Sequence, residues 1–67
     1  MTNSQKLQNE QFFSMVISMT KEGGMYHWPD SNEDYIVKNN KFIGSKTAIE
    51  KMKNITTPSF HSKLIVK

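Results

Sequence analysis

Two histidines, His27 and His61, and the acidic side chains Asp30, Glu33 and Asp34 have the strongest claim to chemistry in this 67-residue chain. Imidazole and carboxylate groups bind zinc when three or four of them converge. Here the histidines lie far apart with no characteristic spacing, so they read as separate surface or packing residues. Asp30-x-Asn32-x-Asp34 copies the opening of a calcium-binding EF-hand loop. The copy breaks at Tyr35, where glycine must make the sharp turn, and at Lys41, where a bidentate glutamate belongs. Gly44-Ser45-Lys46-Thr47 is similar to the end of a phosphate-binding loop. Lysine does not directly follow the glycine, however, and Asn39 stands where the first glycine should be. A helix cap accounts for all four residues. No spacing brings Ser, His and a carboxylate together, and so short a chain hardly encloses a water-excluding pocket. The expectation is a non-enzymatic protein with no cofactor and no metal.

Such side chains need a scaffold, and size limits what it can be. A chain of this length folds as one domain, residues 1–67, and buries only roughly 60% of the surface its unfolded form exposes. Without cysteine it has neither disulfides nor thiolate metal sites to add stability. A partner or a homodimer would supply further burial. The polar start Met1-Thr2-Asn3-Ser4-Gln5-Lys6 and the serine-interrupted apolar cluster that follows lack the continuous apolar core of a signal peptide. The cluster is also too short to span a bilayer. The expected setting is therefore cytoplasmic, with no membrane partner.

The net charge is +3 and every basic residue is lysine. Lysine meets phosphate as a point charge, whereas arginine supplies the bidentate fork that reads guanine. A nucleic-acid partner would thus be held chiefly by salt-sensitive backbone contacts. The bias to Lys, Asn and Ile suits an AT-rich genome, including those of many phages.

Residues Thr2 to Glu22 read as a helix capped by Thr2, Asn3 or Ser4. Phe12, Met15, Val16 and Met19 form its apolar stripe, widened by Phe13 and Ile17, and Gly23-Gly24 stops it. The competing reading is a strand, because Phe13, Met15, Ile17 and Met19 also alternate with Ser14, Val16, Ser18 and Thr20. Lys21 to Gly24 would then turn into a second strand, Met25 to Trp28. After the polar loop Pro29 to Asp34, Tyr35-Ile36-Val37 and Phe42-Ile43 predict a hairpin turning at Asn39-Asn40. Asparagine tolerates the positive φ of a type I′ turn. A helix follows from a cap at Ser45 or Thr47, with Ala48, Ile49, Met52 and Ile55 on its apolar face. Thr57-Pro58 opens a last element that is either a helix anchored by Phe60 and Leu64 or a strand at Leu64-Ile65-Val66. The predicted class is α+β: an N-terminal helix, a β-hairpin over about 35–43, a short helix, and a C-terminal helix or strand.

The segment Asn54-Ile55-Thr56-Thr57-Pro58-Ser59-Phe60 resembles the turn and recognition-helix start of small excisionase-type and repressor-type DNA-binding domains. It departs from their pattern by one extra residue near Lys53 and by an outer face without arginine, asparagine or glutamine. The resemblance implies a helix-turn-helix regulator of a phage or mobile element, bound to duplex DNA. Thr57, Ser59, Ser62 and Lys63 would approach the groove, with Lys46, Lys53 and Lys67 on the phosphates. The alternative is a protein-binding inhibitor or adaptor of the phage-encoded type. It would dock on a host protein through its hairpin and through Tyr26, His27, Trp28 and Tyr35, since Tyr and Trp are favoured interface anchors.

Overall fold

A computed structural model describes all residues, 1–67, and shows an α+β fold in which every helix lies on one side of a four-stranded sheet. The order along the chain is α1 (Asn3–Met19), β1 (Gly24–Trp28), β2 (Glu33–Lys38), β3 (Lys41–Gly44), α2 (Lys46–Lys53), a 3-10 helix (Pro58–Lys63) and β4 (Leu64–Val66). Strands β1, β2 and β3 form an antiparallel meander, and β4 pairs parallel to β3 after the crossover through α2. No helix is long and apolar enough to cross a membrane.

Local chemistry sets most boundaries. Thr2 caps α1 in a capping box, its hydroxyl accepting from the Gln5 amide while the Gln5 side chain accepts from the Thr2 amide. The helix ends at Met19, short of the expected Glu22. Thr20 turns extended: its amide makes the last helical bond to the Val16 carbonyl, and its hydroxyl donates to the same carbonyl. Gly23 then takes φ +78°, a turn conformation open to glycine. Asn39 and Asn40 adopt φ values of 54° and 61°, the left-handed pair a two-residue hairpin requires. Of the two candidate caps on α2, Ser45 is the one used: its hydroxyl accepts from the Ala48 amide.

Two expectations change. In α1 the buried side chains are Phe13 and Ile17, whereas Phe12, Met15 and Met19 are exposed. The reason is aromatic fit: the Phe13 ring sits 5.4 Å from Trp28, 5.8 Å from Phe42 and 6.1 Å from Phe60, measured between ring centres. Met25 to Trp28, considered as a strand only on the reading that made residues 13–20 a strand too, is β1 although α1 is a helix.

The core comprises Phe13, Ile17, Tyr35, Val37, Phe42, Ala48, Ile49, Met52, Phe60 and Leu64, all between the helices and the inner sheet face. After Thr57 the chain makes six residues of 3-10 helix, beginning with Pro58, and passes directly into β4, so a second α-helix does not follow the 54–57 turn. Phe60 and Leu64 are both buried, as anchors should be. Leu64 takes its place beside Phe42 as the first residue of a strand that follows the 3-10 helix directly. The β-branched pair Ile65-Val66 suits that strand.

Candidate functional site

The largest surface concavity lies where α1 crosses the β1–β2 loop and the turn after α2. It encloses about 450 Å³ and is lined by Met1, Asn9, Phe12, Phe13, Trp28, Asp30 and Ile55. Adjacent residues of a helix point about 100° apart. With Phe13 committed to the core, Phe12 is therefore turned outward, and it is 46% exposed. Its ring packs edge-on against Phe13 at 5.8 Å. Trp28, last residue of β1, is half-buried and presents the rest of its surface to this groove.

The groove is held by bonds between distant parts of the chain. The Asn9 side-chain amide donates to the Ile55 carbonyl at 2.9 Å, and the Thr57 amide donates to the Glu10 carboxylate. One turn of α1 thus satisfies the Ile55 carbonyl and the Thr57 amide, which would otherwise be unpaired beside apolar surface. Thr56 is buried and donates its hydroxyl to the Met52 carbonyl at 2.8 Å. On the other side the Lys51 ammonium reaches the Glu33 carboxylate at 2.8 Å and the Ser31 carbonyl at 3.3 Å, tying the β1–β2 loop to α2. The result is an apolar trough with two polar groups, the Asn9 amide and the exposed Asp30 carboxylate. Such a trough accepts an apolar side chain and offers an acceptor to a donor beside it.

Among the residues expected to meet a protein, Trp28 lines the groove, and Tyr26 is half-buried and stacked on Tyr35. Burial and the nearby Asp30 charge push the Tyr26 hydroxyl above its ordinary pKa. His27 is exposed on the opposite sheet face, its Nδ1 2.8 Å from Asp34. Tyr35 is a correction: it is 1% exposed and its hydroxyl is bonded inside the protein, so it supports the core and touches no partner. Residues 25–28 are legible as an aromatic cluster, but Phe12, Asn9 and Ile55 come from far along the chain. The one local signal was the pair Phe12-Phe13, since both cannot face one core.

The residues expected to meet DNA fall into two groups. Lys46 begins α2, and Lys67 lies beside it, its amide bonded to Gly44. Lys53 ends the same helix roughly 10 Å away at 1.5 Å per residue. There His61 approaches the Lys53 carbonyl, bringing the 3-10 helix alongside. On that helix Thr57 and Ser59 bond to each other through their hydroxyls, the Ser62 hydroxyl donates to the Ser59 carbonyl, and the Lys63 ammonium sits 5.8 Å from the centre of the Phe60 ring. Another basic cluster surrounds the Asn39-Asn40 turn. Lys38 and Lys41 flank it, and Lys21 joins them because Gly23 bonds to Val37 and the Glu22 carboxylate accepts from the Asn39 amide. The lysines thus lie at more than one place on the fold.

Comparison of the chain with protein-family models, curated proteins and solved structures finds no match.

Proposed function

We propose that this chain is a small protein-binding module, an adaptor or inhibitor that docks on another protein through the groove between α1 and the β1–β2 loop. The observation that supports this most is the pairing of a half-exposed Phe12 with Trp28 across an apolar trough held open by long-range hydrogen bonds. Aromatic side chains in a rigid depression gain affinity with little ordering cost, because the site is already formed. The partner element that fits is an apolar or aromatic side chain followed by a donor, an amide or a lysine, directed at Asp30.

Duplex DNA is the rival partner. The cluster at Lys21, Lys38 and Lys41 favours it, and lysine contacts alone would make it steeply salt-dependent. Against it stand the short 3-10 helix where a recognition helix would lie and the scatter of the remaining lysines. The test is capture from the native host on immobilised chain, with and without nuclease, beside the same capture on a Phe12→Asp variant. A partner retained after nuclease and lost with Phe12→Asp supports the groove. Material lost with nuclease and retained by the variant supports DNA and overturns the proposal.

A further inference from the structure

The outer face of the sheet carries no helix, yet it bears a continuous apolar row. The register pairs Met25 with Ile36, Ile36 with Ile43, and Ile43 with Ile65, so one aliphatic side chain from each strand stands in line across the sheet. Strand side chains alternate between faces, and the inward partners in the same strands are Tyr26, Tyr35, Val37, Phe42 and Leu64. At the two ends of the row Met25 and Ile65 are 68% and 40% exposed. Four strands about 4.8 Å apart carry this row over roughly 15 Å.

On the central strand β2 the charges beside the row differ in sign. On β2 the outward residues are Asp34, Ile36 and Lys38, an acid and a base at equal distances on either side of the apolar residue. We infer that this face binds a second copy of the chain, in a two-fold dimer whose axis runs along the apolar row. Turning one copy by 180° about that axis lays Met25, Ile36, Ile43 and Ile65 on their own counterparts and reverses the strand direction. Asp34 of each copy then faces Lys38 of the other, twice per dimer. Such self-complementarity is what a two-fold interface requires.

The alternative two-fold, with its axis along the strands, would bring Lys38 of one copy over Lys41 of the other, like charge on like. The Asp34–Lys38 pairs, which the alternative lacks, favour the first arrangement. In it Lys41 faces Ser45, which lies two residues beyond Ile43. Lys67 faces the position of Lys63 in the other copy, the one like-charge approach of this arrangement, and the Lys63 ammonium is drawn away toward the Phe60 ring. Asp34 already accepts from His27 through one carboxylate oxygen, and the other is free for Lys38. A four-strand face is near the lower size limit of specific interfaces, so the dimer is reversible and concentration-dependent.

Sedimentation equilibrium of the purified chain at low ionic strength tests this. The weight-average mass is expected to rise from 7.8 kDa toward twice that value between micromolar and millimolar concentration. Met25→Lys combined with Ile65→Lys, both at exposed positions, should hold the chain monomeric with its circular dichroism unchanged. Asp34→Lys and Lys38→Asp alone should each weaken the dimer at least about tenfold, because symmetry breaks two contacts at once. The double exchange D34K/K38D should restore it. Phe12→Asp, which alters the groove, should leave the dimer intact, so this inference and the proposed function fail separately. A chain monomeric at millimolar concentration overturns the inference. So does a dimer indifferent to Met25→Lys with Ile65→Lys, or a double exchange as weak as its singles.

Discussion

The Tyr35 hydroxyl donates a 2.7 Å hydrogen bond to the carbonyl oxygen of Ala48, pinning the centre of the sheet to the first turn of α2. Both groups are buried, and Tyr35 lies among Trp28, Tyr26 and Phe42 with ring-centre separations of 6.4, 6.4 and 5.7 Å. The tyrosine behind the groove is thereby fixed by packing and by one directional bond. Tyr35→Phe removes only that bond and should cost about 1 kcal/mol. In a domain of this size the melting temperature should fall by roughly 4–8 °C, with the spectrum of the folded state unchanged.

Gly44 allows this tyrosine its position. A Cβ at residue 44 would stand 3.1 Å from the Tyr35 ring and 3.4 Å from the Ala48 methyl. The ring cannot retreat while its hydroxyl is held. Gly44→Ala should therefore destabilise the fold by about 1–3 kcal/mol, as core overpacking does. In Tyr35→Phe the ring is released, so the penalty for Gly44→Ala should shrink. Denaturant melts of the two single variants and the double variant measure that coupling.

Alkaline pH should unfold the protein through the same residue. Burial pushes the Tyr35 hydroxyl up to about 12, with the Glu33 carboxylate acting in the same direction and the Ser31 hydroxyl opposing. Unfolded, a tyrosine ionises near pH 10. Above that the unfolded chain has released a proton the folded chain retains, so stability falls as pH climbs. The contribution is complete below about pH 10 and is lost as pH rises toward about 12. Denaturant midpoints measured across that interval should decline, and tyrosinate absorbance of the folded protein should appear late. Tyrosinate forming at the ordinary pH without unfolding contradicts the assignment.

Besides the buried Phe13 and Ile17, Asn9 and Glu10 attach α1, their side chains taking up the Ile55 carbonyl and the Thr57 amide. Asn9→Ala leaves the carbonyl unpaired beside the groove and should cost about 1–3 kcal/mol. Amide exchange should then accelerate in residues 3–19 and 55–57 before it does so in β2 and β3. Uniform acceleration throughout the chain would show that α1 is no separate unit of stability.

The elements that sequence makes plain are those decided within a few residues. Asn39-Asn40 carries its own backbone preference, Ser45 and Thr2 reach amides three residues on, and Ala48, Ile49 and Met52 share one helical face. Less legible is the choice between neighbouring apolar stripes on α1, because both Phe12 and Phe13 have helical partners. What decides is the pocket that Trp28, Phe42 and Phe60 make for Phe13. In sequence the segment 57–67 suits helix or strand for a similar reason: the free side of β3 accepts β4 only once the crossover is built. The groove joins residues 1, 9, 12, 28, 30 and 55, so no local pattern announces it.

An amide NMR titration of the labelled chain with the partner captured from its host tests the groove most directly. The account predicts shift changes at Phe12, Asn9, Ile55 and the Trp28 indole, with the Lys21, Lys38 and Lys41 signals unmoved. Changes confined to those lysines, with Phe12 and Trp28 untouched, would contradict it.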